Sequence, residues 1–174
     1  MSKIAHLWAV GYDDLSSAKK AREAVTQLTG PGQYLLLFDA AILLRHADGS
    51  FSLDHKPFPV TSNILGCGTI GLLAGLALAA PMTGAAIGAL VGCAASTVAT
   101  TLKIEPEFIR DVQSIMRPGK SALLILDEEG DMAVILHAIR GLGGTVLKTN
   151  VDLDRARLIQ STLSSARLTP AVPT

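Results

Sequence analysis

The chain has 174 residues, with 15 Lys and Arg against 15 Asp and Glu, and aromatic residues make up 4% of it. This length predicts one domain, or one domain with an insertion. A formal net charge of zero excludes a global field that would recruit nucleic acid or anionic lipid, and the few aromatic side chains exclude a base-stacking platform.

The N-terminal part predicts a strand, a helix, a second strand and a short ribbon that pairs back on it. These elements cover residues 3–11, 13–28, 33–45 and 50–58. Asp13 and Asp14 are capping residues, since a carboxylate there accepts hydrogen bonds from the first backbone N–H groups of a helix. Gly30, Pro31 and Gly32 follow the helix and end it.

The C-terminal part predicts a helix, a strand, a helix, a strand and a last helix. These elements cover residues 105–116, 121–126, 130–142, 145–149 and 152–165. Pro106 stands at an early helical position, and Pro118 with Gly119 lies beyond the end of that helix. Asp152 caps the last helix, and the residues after it form a frayed tail.

The two halves repeat one order of elements, namely strand, acidic cap, helix, glycine-rich stop and strand. This repetition predicts an α+β fold, a ferredoxin-like split βαβ sandwich with helices on one face of the sheet. Residues 1–56 and 104–150 form this domain, residues 57–103 are an inserted apolar helical hairpin, and residues 151–174 are a C-terminal helix and tail.

The inserted segment is the most unusual part of the chain, because Pro57 to Leu102 contains no Asp, Glu, Lys, Arg or His. Its glycines recur at helical spacing, which costs stability in a soluble helix but lets two helix backbones approach closely. The pattern predicts a glycine zipper that packs the two arms and carries self-association. Its helix-packing residues are Gly71, Gly75, Gly84, Gly88 and Gly92.

The two arms, 64–80 and 83–102, would span roughly 25 and 30 Å as helices, which suits a bilayer. Lys56 and Lys103 flank the two arms. Basic residues beside membrane spans tend to remain on the cytoplasmic side, so the sequence predicts an inner-membrane hairpin with both termini in the cytoplasm. A cytoplasmic homo-oligomer that buries the hairpin between subunits is the alternative, as is a form that moves between the two states.

Two cysteines, Cys67 and Cys93, lie inside this segment. Buried thiols in a small-residue helix pair are packing residues, and a disulfide across the hairpin is the alternative. The N-terminus has no long apolar core followed by a cleavage site, so no secretory signal is expected.

Other polar motifs predict no catalytic, metal or cofactor site. The four histidines, His6, His46, His55 and His137, have no metal-ligand spacing. The glycines at 30–32 and 141–144 follow helices, which favours C-capping over phosphate binding. Acidic residues 13–14 and 127–129 are interpreted as capping or solvated groups, with a cation-binding or acid–base role as the alternative. Trp8 is interpreted as core, with ligand or protomer contact as the alternative if its sheet face were open.

Several segments together resemble one prokaryotic family, domain of unknown function twelve-sixty-nine, which is usually described as predicted membrane proteins. They are VGYDD at 10–14, DAAILLRHADG at 39–49, GLLAGLALAAPMTGAAIGALVG at 71–92, FIRDVQSIMRPGKSALLIL at 108–126 and GLGGTVLKT at 141–149. The resemblance implies a membrane protein, and it implies no reaction and no cofactor.

Three functions are compatible with these observations. The first is a non-enzymatic, membrane-anchored, self-associating protein with a regulatory, scaffolding or stress-related role. The second is a soluble homo-oligomer such as a shell, tube or filament. The third is a small-ligand sensor or enzyme that uses the sheet face. The expected partners are a second copy of the chain and the lipid bilayer, and not nucleic acid.

Overall fold

A computed structural model describes residues 5–29, 37–55, 107–128 and 132–165. Five strands are described: β1 (Ala5–Tyr12), β2 (Leu37–Arg45), β3 (Phe51–His55), β4 (Ser121–Glu128) and β5 (Thr145–Thr149). Four α-helices are described: α1 (Leu15–Thr26), α2 (Glu107–Ile115), α3 (Met132–Ile139) and α4 (Leu153–Ser164). A 3-10 turn, Gln27–Thr29, extends α1. The predicted hairpin lies outside the described residues.

The five strands form one antiparallel sheet in the order β3-β2-β4-β1-β5. Since β4 pairs antiparallel with both β1 and β2, those two strands run parallel to each other with β4 between them. By the same reasoning β4 and β5 run parallel with β1 between them. The predicted α+β class is confirmed, and the short ribbon predicted after the second strand is β3, which pairs Leu43 with Leu53.

Side chains alternate strictly between the two faces of the sheet, as the period of a strand requires. On one face the core residues of the central strands are Leu7, Ala9, Ala41, Leu43, Ala122, Leu124 and Leu126. On the other face they are Trp8, Val10, Tyr12, Ile42, Leu123 and Ile125. Because both sets are buried, each face needs its own cover of helices.

Helices cover both faces, so the prediction that they cover only one is wrong. The core with Trp8 takes apolar residues from α1, α3 and α4, whereas the core with Leu124 takes those of α2. Helix α2 crosses its face from β5 to β2. At its middle Lys148 of β5 pairs with Asp111, and just after its end the Met116 carbonyl accepts a hydrogen bond from Arg45.

The predicted caps are confirmed at two helices. Asp14 accepts a hydrogen bond from the Ser17 backbone N–H at 2.7 Å, and Asp152 accepts one from the Arg155 N–H at 2.9 Å. The helix that follows Asp152 joins the core with Trp8 through its buried residue Ile159. None of the described helices is both long enough and apolar enough to cross a membrane.

Candidate functional site

The most unusual polar feature of the described sheet is a buried pair on its two central strands. His6 of β1 lies directly opposite Asp127 of β4 in the strand register. The two side chains are 4% and 0% exposed, and His6 Nδ1 lies 3.8 Å from Asp127 Oδ2. A buried histidine beside a carboxylate is costly to desolvate, so it is a feature that requires a physical explanation.

The interpretation of Asp127 as a capping or solvated residue is wrong. The structure places Asp127 inside β4, on the face that also carries Leu123 and Ile125, and without exposure to solvent. The signal in the sequence was a histidine inside one apolar strand and an aspartate directly after the apolar run of another. Their pairing could not be predicted, because the register of strands 121 residues apart is not a local property.

The surroundings fix the geometry of the pair. Trp8 lies two residues further along the same face, and its buried Nε1 has no hydrogen-bond partner among the described residues. Next to His6, the Leu7 N–H donates to Asn150 Oδ1 at 2.8 Å, which ties the end of β5 to β1. The arrangement places an imidazole and a carboxylate close enough to interact electrostatically inside the sheet.

The remaining histidines do not join this pair into a larger site. His46 Nε2 lies 2.9 Å from Ser52 Oγ in the exposed hairpin between β2 and β3. His55 ends β3 opposite Ala41, and His137 is exposed on α3. Within the described ranges, no three His, Cys, Asp or Glu side chains come together as a metal site requires.

The glycines at 141–144 form a turn, as the C-capping interpretation predicted. Gly141, Gly143 and Gly144 all have positive φ. The Gly141 N–H donates to the Thr162 carbonyl at 3.2 Å, and the Gly143 N–H donates to the Leu163 carbonyl at 3.1 Å. These amides bind the last turn of α4, so they are not directed at a phosphate.

Tyr12, on the same sheet face as His6, is buried, and this burial raises the pKa of its phenol above the ordinary value. The phenol is therefore neutral at physiological pH.

A second polar cluster joins α1 to β3, the strand that precedes the uncharged segment. Arg22 is 5% exposed, and its Nη1 donates to the Asp54 carbonyl at 2.9 Å and to Asp54 Oδ1 at 3.0 Å. Lys19 Nζ lies 3.5 Å from Asp54 Oδ2. Burial alone would raise the pKa of Asp54, but the hydrogen bond and charge of Arg22, with the charge of Lys19, lower it overall.

We expect Arg22→Met to lower the free energy of unfolding by about 2 kcal/mol, since it leaves the Asp54 carbonyl and carboxylate without their buried donor. Lys19→Met is the matched control, because Lys19 is half exposed and should cost less than about 1 kcal/mol. Urea unfolding followed by circular dichroism measures both. Equal losses in the two variants would contradict a special role for the buried guanidinium.

The Asp54 contact also predicts a pH dependence. Because folding lowers the pKa of Asp54, its stabilisation is complete above the carboxyl's ordinary pKa of about 3.9 and is lost as the pH falls through the folded value. The wild type should therefore be more stable than Asp54→Asn at pH 7, and the difference should shrink below about pH 4. Urea melts of both proteins at several pH values measure it, and a constant difference would contradict the assignment.

The predicted helix-packing glycines, Gly71, Gly75, Gly84, Gly88 and Gly92, lie outside the described residues, as do Cys67 and Cys93. They therefore stay predictions.

Comparison with known proteins gives one match. No curated protein and no solved structure matches the chain. The family described as Protein of unknown function (DUF1269) matches residues 65–164, which is more than half of the chain and includes most of the uncharged segment together with α2, β4, α3, β5 and α4. The predicted resemblance is thereby confirmed, and the chain belongs to the DUF1269 family.

Proposed function

We propose that this chain is a non-enzymatic, membrane-anchored protein that self-associates and presents a small cytoplasmic α+β domain. The observation that carries the proposal is the uncharged segment from Pro57 to Leu102, placed between β3 and α2 of a folded domain. A regulatory, scaffolding or stress-related role suits such a protein.

We further propose that the domain is ferredoxin-like, with β3 as an added edge strand. In that fold two βαβ units interleave so that each pair of parallel strands is separated by a strand of the other unit. The order β2-β4-β1-β5, with α1 joining β1 to β2 and α3 joining β4 to β5, supports this assignment.

The completeness of the core supports an anchoring role for the segment. Both faces of the sheet pack against helices within the described ranges, with Trp8 and Leu124 at zero exposure on opposite faces. We therefore propose that the uncharged segment is an addition to this domain and not a part of its core. An apolar segment of this size needs another environment, either lipid or a second copy of itself.

A soluble homo-oligomer remains the second candidate. The segment contains no Trp or Tyr, the residues that usually stand at membrane interfaces, and it is rich in Ala. The small-ligand sensor is the third candidate, and it draws no support from the sheet, because α2 packs on the second face.

Carbonate extraction of membranes tests anchoring directly, because an inserted hairpin stays in the pellet and a soluble assembly does not. Cysteine labelling in a Cys67→Ala/Cys93→Ala background then tests topology. Cysteines placed at Ser2 and Thr174 should react only after the inner membrane is permeabilised, whereas Met82→Cys should react from outside. If carbonate releases the protein into the supernatant and Met82→Cys does not react from outside, the soluble homo-oligomer is favoured over the membrane anchor.

Self-association through the glycine zipper can be tested by changing one of its glycines. Gly88→Leu should disrupt the assembly strongly, because it places a bulky side chain where two helix backbones approach. Leu90→Ala is the control in the same arm and should have little effect. Light scattering in a mild detergent measures the assembled mass of both variants, and equal masses would contradict the glycine zipper.

A further inference from the structure

Helix α2 is the first described element after the uncharged segment. Only four residues separate Leu102, the last residue of that segment, from Glu107, the first residue of α2. Even a fully extended chain over this distance reaches no more than about 18 Å. If the segment lies in a bilayer, α2 is therefore held close to the lipid headgroups.

Two arginines, one on this helix and one just beyond it, have no acidic partner among the described residues. The side chains of Arg110 and Arg117 are exposed, and neither guanidinium forms an ion pair or hydrogen bond with a described residue. By contrast, the nearby cations Lys148 and Lys120 pair with Asp111 and Asp13. The outer surface of α2 thus carries two guanidinium groups that are available to an anion from outside the domain.

An exposed apolar side chain flanks this surface, about 140° around the helix from Arg110. Ile115 is 50% exposed in the last turn of α2, whereas Phe108, Ile109 and Val112 point into the core. A helix that presents arginines together with an exposed aliphatic group suits the boundary between headgroups and acyl chains. Guanidinium groups bind phosphate oxygens in a bidentate manner, which favours phospholipid over a neutral surface.

We propose that the outer surface of α2, formed by Arg110, Ile115 and Arg117, docks on the anionic headgroups of the membrane that holds the uncharged segment. The proposal rests on the anchoring function. Glu107 and Asp111 oppose it with two negative charges, of which the second is paired with Lys148, so docking depends on contacts between the two guanidinium groups and phosphates more than on a large net charge.

The test uses the full chain, in a Cys67→Ala/Cys93→Ala background, reconstituted into vesicles. A polarity-sensitive fluorophore on Ser114→Cys reports on the outer surface of α2, and one on Ser161→Cys of α4 is the control on the opposite helical layer. Vesicles contain phosphatidylcholine alone or with about one third phosphatidylglycerol. Bilayer-borne quenchers should quench the label at 114 in the anionic vesicles more than in the neutral ones, and should leave the label at 161 unchanged.

The charge variants isolate the two arginines. Arg110→Gln/Arg117→Gln should lower the docked-to-undocked ratio roughly fivefold for each arginine removed. Lys20→Gln/Arg140→Gln is the matched control, since both of those cations are exposed, lie on the other helical layer and have no ion pair within the described ranges. It should leave the quenching unchanged.

Two outcomes would overturn the proposal in distinguishable ways. Equal quenching at 114 and 161, or equal effects of the two double variants, in protein that resists carbonate extraction would overturn docking and leave anchoring intact. Release of the protein by carbonate would overturn the anchoring function, and the docking proposal with it.

Discussion

Replacing residues 60–102 with a short Gly-Ser linker is expected to move the protein from the membrane fraction to the soluble fraction and to leave its domain folded. Helices within the described ranges pack on both cores, and the linker leaves these helices, with their contacts around Trp8 and Leu124, in the chain. Shortening the connection between β3 and α2 changes the free energy of folding little, because loop-closure entropy varies slowly with loop length.

The single tryptophan makes this prediction easy to measure. Trp8 has no exposure to solvent, so its fluorescence emission should stay blue-shifted in the shortened chain and shift to the red only when the domain unfolds. The full chain is the reference for both fractionation and far-ultraviolet circular dichroism. A shortened chain that is soluble but has the emission and circular dichroism of an unfolded protein would show that the segment is part of the fold.

Local chemistry explains which parts of the fold could be predicted from the sequence. The strand at 145–149 has the predicted bounds, and Asp14 and Asp152 cap the predicted helices. Each of these features depends on a few neighbouring residues, namely an apolar run between turn residues or a carboxylate before a helix.

Features that depend on distant contacts could not be predicted in the same way. The pattern of Phe108, Ile109, Val112 and Met116 indicated an amphipathic helix, but not that its apolar side would cover the second face of the sheet. The His6–Asp127 pair depends on the register between β1 and β4, which only the complete sheet fixes. A histidine inside one apolar strand and an aspartate directly after the apolar run of another were the available clues.

A large loss of stability is expected from Gly144→Ala, in the turn between α3 and β5. Gly144 has a φ of 103°, a conformation that residues with a side chain rarely adopt. A Cβ atom there would lie 2.8 Å from Val10 Cγ1 and 2.9 Å from Tyr12 Cε1. Both side chains are buried, so neither can move aside without disturbing the core. Backbone strain and overpacking together should lower the free energy of unfolding by about 3 kcal/mol.

Gly143→Ala separates the two causes, because it shares the strain and lacks the contact. Gly143 has a φ of 74°, and a Cβ atom there would meet nothing within 4 Å. Gly143→Ala should lower the free energy of unfolding by only about 1 kcal/mol, the strain expected when a residue with a side chain adopts a left-handed conformation. Urea unfolding followed by Trp8 fluorescence compares the two variants. If both lose the same stability, backbone conformation alone determines this turn, and the close approach of Gly144 to Val10 and Tyr12 contributes nothing measurable.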